Sequence, residues 1–82
     1  MANGTMKRLQ FEMNTEKIKE IEELMVLGGA RTKKDFINAA LTLLKWAMNE
    51  RRKGRIIVSM NEEQDTYKEM IMPILSDVKV KE

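Results

Sequence analysis

From Lys7 to Met13 apolar residues fall at every second position, with Leu9, Phe11 and Met13 alternating with Arg8, Gln10 and Glu12. A period of two is the signature of a strand with one covered face and one open face, so this segment is predicted to hold three polar side chains out on the same side. Behind it the period lengthens. Ile18, Ile21, Leu24 and Met25 recur at three- and four-residue spacings, with Lys17, Lys19, Glu20, Glu22 and Glu23 elsewhere, the stripe of an amphipathic helix starting near Thr15. Asn14 stands at its N-cap, where a side-chain oxygen can take an unpaired first-turn amide, and Glu16 suits the positive end of the helix dipole. Gly28-Gly29 is predicted to close the helix, because glycine tolerates the left-handed conformation of a final turn.

Thr32 offers a second N-cap, ahead of a helix predicted from Lys33 to Glu50. This is the most apolar stretch of the chain: Phe36, Ile37, Ala40, Leu41, Leu44, Ala47 and Met48 share one broad face, and Ala39, Leu43 and Trp46 widen it. Only Asn38, Thr42, Lys45 and Asn49 form a clear polar strip. A helix apolar over so much of its circumference has to be covered from more than one side. One amphipathic helix and one short strand cannot do that within a monomer, so a second subunit is expected.

The basic turn Arg51-Arg52-Lys53-Gly54-Arg55 follows and reads as a solvated helix end whose cations favour the dipole. Ile56 to Met60 is predicted as a short β-branched strand. Asn61 with Gln64 resembles a capping box opening a third helix near Glu62, with Tyr67, Met70, Ile71 and Ile74 as its stripe and Pro73 kinking it or ending it near Met72. Met1 to Met6 is expected to be a mobile arm and Asp77 to Glu82 a frayed tail. The expected organisation is thus an arm over residues 1–6, a strand-helix-helix domain over 7–50 and a strand-helix extension over 51–82.

The chain has 82 residues, enough for one small domain that needs a supplement to its core. With no cysteine and no histidine, disulfides and the usual zinc, copper, nickel and haem ligand sets are excluded, and oligomerisation is the remaining supplement. The commonest general base and the strongest side-chain nucleophile are missing too, so no enzyme, metal or cofactor is expected. The longest strictly apolar run is Leu24 to Leu27, far short of the roughly 18 residues needed to span a bilayer, and a soluble, cytoplasmic protein is expected. Net charge is +2 but uneven: residues 1–54 carry eleven Lys or Arg against seven acidic residues, whereas residues 55–82 carry four against six. The basic part is where a polyanion is sought.

A short N-terminal strand, an N-capped helix, a glycine-containing turn and a long apolar second helix, over about Lys7 to Glu50, resemble the ribbon-helix-helix family of DNA-binding proteins, to which the Arc and methionine repressors belong. The resemblance implies a mostly α fold and an intertwined homodimer, in which two copies of the strand form an antiparallel intersubunit ribbon that enters the major groove. It assigns Leu9, Phe11, Met13, Phe36, Ile37, Ala40, Leu41, Leu44 and Met48 to the dimer core. Arg8 suits a bidentate contact with guanine and Gln10 one with adenine; Glu12 can accept from a cytosine amino group or pair with Arg8 or Lys7 of the partner strand. Family members also clamp the DNA backbone at the start of the second helix, here Arg31, Thr32, Lys33 and Lys34, with Lys7 as a further phosphate contact. Two lysines in a first helical turn oppose the dipole, a local cost that an anion would offset.

Plainer readings compete at several of these places. Alone, Lys7 to Met13 reads as an ordinary edge strand, and the two helices behind it are what shift the reading. Lys33-Lys34 also fits a solvated pair, the eight methionines are expected to be mostly core filler, and Trp46 a dimer-core residue. The expected function is a sequence-specific DNA-binding transcriptional regulator, a repressor acting as a homodimer or a higher oligomer on double-stranded DNA. The alternatives are an antitoxin whose residues 55–82 bind a toxin, or an assembly protein that kept the fold without DNA binding. For residues 55–82 additional core or self-association ranks ahead of a protein partner.

Overall fold

The computed structural model describes residues 5–81. The mobile arm expected over 1–6 lies outside them except for Thr5 and Met6. The elements run α1 (Thr15–Gly28), α2 (Lys33–Arg52), β1 (Val58–Asn61), β2 (Thr66–Glu69) and α3 (Pro73–Ser76), helices combined with a two-stranded antiparallel sheet. They fall into two compact units that divide between Lys33 and Lys34.

In the first unit α1 begins and ends where its sequence directs. Asn14 is extended at φ −70° and ψ 160°, and its side-chain oxygen accepts from the Lys17 N–H at 2.8 Å while its carbonyl accepts from Ile18 at 3.2 Å. At the other end Gly29, at φ 72°, donates to the Val26 carbonyl at 3.2 Å and Ala30 donates to that of Met25 at 2.9 Å. These are the two bonds of a Schellman closure, and they satisfy carbonyls that the helix itself leaves unpaired. Nothing lies within 4 Å of where a Gly29 Cβ would stand, so the positive φ alone reserves the position for glycine. Along the stripe Ile21 and Met25 are half-buried, and no residue of α1 is fully buried.

Residues 7–13 precede that cap without regular structure, and no backbone hydrogen bond joins them to any other described residue. The expected strand is therefore not formed within one chain. A strand exists by pairing, and no segment among the described residues pairs with it.

In the second unit α2 runs to Arg52, two residues past the predicted end. Its polar strip carries a Thr42 hydroxyl donating back to the Asn38 carbonyl at 2.9 Å. Only Ala47 on this helix is buried. Just past its end Gly54, at φ 82°, turns the chain. There the Lys53 and Arg55 amides bond to the Glu50 carbonyl at 3.1 and 3.0 Å, and that of Gly54 to Arg51 at 2.9 Å.

The C-terminal third departs from expectation. The strand lies at Val58–Asn61 in place of Ile56 to Met60, and the helix expected from Glu62 is absent: Thr66–Glu69 forms a second strand in the register Val58 to Glu69, Ser59 to Lys68, Met60 to Tyr67 and Asn61 to Thr66. The Met70 amide extends the pairing to the Ile57 carbonyl at 2.7 Å. Asn61 does accept from the Gln64 amide, at 3.3 Å, as a capping residue would, but it also takes that of Glu63 at 3.1 Å. The result is an Asx turn, and Asp65 at φ 53° bends the chain into β2, a conformation that aspartate tolerates better than most residues. Pro73 neither kinks nor ends a helix. It opens α3, where its missing N–H costs nothing, with extended Met72 as the cap.

Leu75 on α3 is 3% exposed, the most buried core residue of this unit. The Arg51 guanidinium donates to its carbonyl at 3.4 Å and to that of Arg55 at 3.3 Å, so a residue expected to be solvated ties the helix end to the segment after the hairpin. The tail is not frayed over its described length: Val78 is half-buried, and the Lys81 N–H donates to the Arg52 carbonyl at 2.8 Å.

Candidate nucleic-acid interface

Lys7, Arg8, Gln10 and Glu12 are all exposed, and the structure holds none of their side chains in an ion pair among the described residues. The alternating apolar positions are exposed as well, Leu9 at 79%, Phe11 at 60% and Met13 at 44%. A segment that leaves both its polar and its large apolar side chains in water has no reason, within one chain, to choose a face.

The second group of candidates is consecutive. Arg31 and Thr32 lead directly into α2, whose first turn contains Lys33, Lys34 and Asp35, and all five are exposed. The first-turn amides of α2 give this place a partial positive charge, to which the two lysines add. Asp35 in the same turn complements the dipole and offsets part of that field. Chemically the arrangement suits one oxyanion at a helix start.

The residues assigned to a dimer core divide. Phe36, Leu44 and Met48 are half-buried, whereas Ile37, Ala40 and Leu41 stay exposed, with Leu41 at 59%, and Trp46 is exposed beside them. The apolar face inferred from the sequence is therefore partly covered, with Ala47 buried and Leu41 left open.

The basic turn after α2 is more structured than its composition implies. Arg55 Nη1 lies 3.0 Å from Glu50 Oε1 and Lys53 Nζ lies 3.6 Å from Glu50 Oε2. The hydrogen bond from Arg55, more than the added charge of Lys53, holds the Glu50 carboxyl below its ordinary value. A carboxyl with a lowered folded pKa stabilises the fold above the unfolded value and loses that contribution as pH falls through the folded one. Glu50→Gln is accordingly expected to flatten the acid limb of stability below about pH 4.3, the unperturbed glutamate value. Urea melts across that range check this, and a slope identical to wild type would show the pair to be energetically silent.

Sequence reasoning missed two surfaces here. A cleft of about 410 Å³ at the end of α2 is lined by Asn49, Arg52, Lys53 and Lys81; the basic turn signalled part of it, but the return of Lys81 had no local signal. The hairpin also has an apolar face. Its register places Val58, Met60 and Tyr67 on one side together with Glu69, with Ile56 and Ile71 flanking the strands, and all are exposed. Among the described residues no group of His, Cys, Asp or Glu could hold a metal, and no helix is long and apolar enough to cross a membrane. Comparison with protein-family models, curated proteins and solved structures finds no match.

Proposed function

We propose that this chain is a ribbon-helix-helix DNA-binding regulator, a repressor that acts in the cytoplasm as a homodimer. Two copies of residues 7–13 pair antiparallel into a ribbon that enters the major groove. The observation that carries the reading is the combination of an alternating segment with no backbone partner among the described residues and a long helix whose Leu41 is 59% exposed. One second copy supplies both needs: it pairs the segment, and it covers Leu9, Phe11, Met13 and the open face of α2.

The other side of the ribbon then presents two copies each of Arg8, Gln10 and Glu12, with phosphates held by Lys7 and by Arg31, Thr32, Lys33 and Lys34. Selection from a pool of random duplexes at low salt is expected to enrich a two-fold-symmetric site. If none emerges, and Arg8→Ala leaves binding unchanged, the base-reading assignment falls and the assembly-protein reading, which Glu12 on the reading face favours, takes its place.

The exposed apolar hairpin face favours a second reading of the C-terminal third, as the surface by which dimers associate further or, in an antitoxin, by which a toxin is held. Purification from the native cell separates these, because a stable toxin travels with the chain and a homo-oligomer travels alone.

A further inference from the structure

We infer that the cleft at the end of α2 is a binding site for a phosphate group, held by Arg52, Lys53 and Lys81 with the Asn49 amide as an added donor. The lining contains three cations and no carboxylate. Lys81 is far from the others in sequence and is brought there by the main chain. Its N–H bonds to the Arg52 carbonyl at 2.8 Å, and the tail passes over Gly54, where a Cβ would stand 3.8 Å from Val80 Cγ1.

Neutralising the helix dipole does not account for this gathering of charge. The Glu50, Arg51 and Arg52 carbonyls are already taken by the amides of Lys53, Gly54, Arg55 and Lys81. Local ion pairs account for Lys53 alone, which shares Glu50 with Arg55; neither Arg52 nor Lys81 has a carboxylate within ion-pair distance among the described residues. Like charges brought close by the main chain repel, and an anion between them relieves that repulsion. Phosphate fits best, because its several oxygens can engage a guanidinium fork, two ammonium groups and an amide at once. The group arrives either on the backbone of DNA or on a free phosphate compound.

The test follows the Asn49 side-chain amide and the Arg52 Nε–H by NMR in the full chain, titrated with sodium pyrophosphate at constant ionic strength against sodium chloride. Saturating shifts specific to pyrophosphate are expected, with affinity at least tenfold weaker in the double variant Arg52→Gln, Lys81→Gln and unchanged in Lys68→Gln on the hairpin. Shifts that do not saturate, that chloride reproduces, or that survive the double variant overturn the site. The spectrum itself reports whether the variant is folded.

A random-sequence duplex then identifies the source. A shallower salt dependence of binding in the double variant assigns the site to DNA phosphates, and an unchanged one to a free phosphate compound. Because the base-reading assignment is tested at Arg8, failure here leaves it standing, and the converse holds.

Discussion

Phe11→Asp is expected to convert the protein from dimer to monomer at micromolar concentration. Phe11 is 60% exposed in a single chain and Leu9 and Met13 are exposed too, so nothing among the described residues requires it to be aromatic. In the proposed ribbon two copies of the ring would lie over the α2 faces. Removing each forfeits about 1.5–3 kcal/mol of burial, and each aspartate adds the cost of desolvating a carboxylate without a partner. Counted twice across the two-fold axis, the loss of at least about 3–6 kcal/mol weakens dimerisation by roughly two to four powers of ten. Sedimentation velocity over a concentration series measures it, and far-ultraviolet circular dichroism shows whether α1 survives. If the variant sediments as wild type does, residues 7–13 are not in the interface.

Arg8→Ala and Lys33→Ala are expected to weaken DNA binding in different ways. A bidentate contact to guanine discriminates against other bases by about 1–3 kcal/mol, and the proposed dimer would make it twice. Arg8→Ala should therefore erase the preference at one base position in each half-site while leaving affinity for random duplex nearly unchanged. Lys33→Ala should weaken all sequences alike and reduce the salt slope by about 0.9 for each phosphate that is no longer neutralised. Binding to random and selected duplexes at several salt concentrations separates the two. A Lys33→Ala protein with altered sequence preference, or an Arg8→Ala protein with uniform loss, would reverse the assignments. Glu12 belongs in the same series: if Glu12→Gln broadens the selected site it was reading a base, and if it only loosens the dimer it was pairing with the partner strand.

The parts of the fold legible in the sequence were those governed by neighbours along the chain. Asn14 caps α1 because an extended residue with a short acceptor sits three residues before an open amide, and Gly29 ends it because the position requires a positive φ. Both conditions lie within one turn of the residue that meets them. Asn61 shows where such reading stops: the same acceptor and the same Gln64 amide serve a helix cap and an Asx turn equally well. The spacing of Tyr67, Met70, Ile71 and Ile74 suited a helix. What decides against it is the pairing of Thr66–Glu69 with Val58–Asn61, which no local period encodes.

The candidate site divides in the same manner. The residues at 7–13 and 31–34 could be named from the sequence because their alternation, charge and position before a helix are local properties. The phosphate cleft could not, since Lys81 joins Arg52 and Lys53 only through the returning tail.

By itself the sequence determined two helices, the Asn14 cap and glycine close of the first, the broad apolar face of the second, and the polar-apolar alternation ahead of them. All of these follow from short-range hydrogen bonding and side-chain period. Tertiary structure alone decided that the C-terminal third is a hairpin and a one-turn helix, and that Arg51 is bonded inward while Arg52 is left with Lys81. Those outcomes depend on contacts between residues distant in the chain, whose energies no local pattern carries.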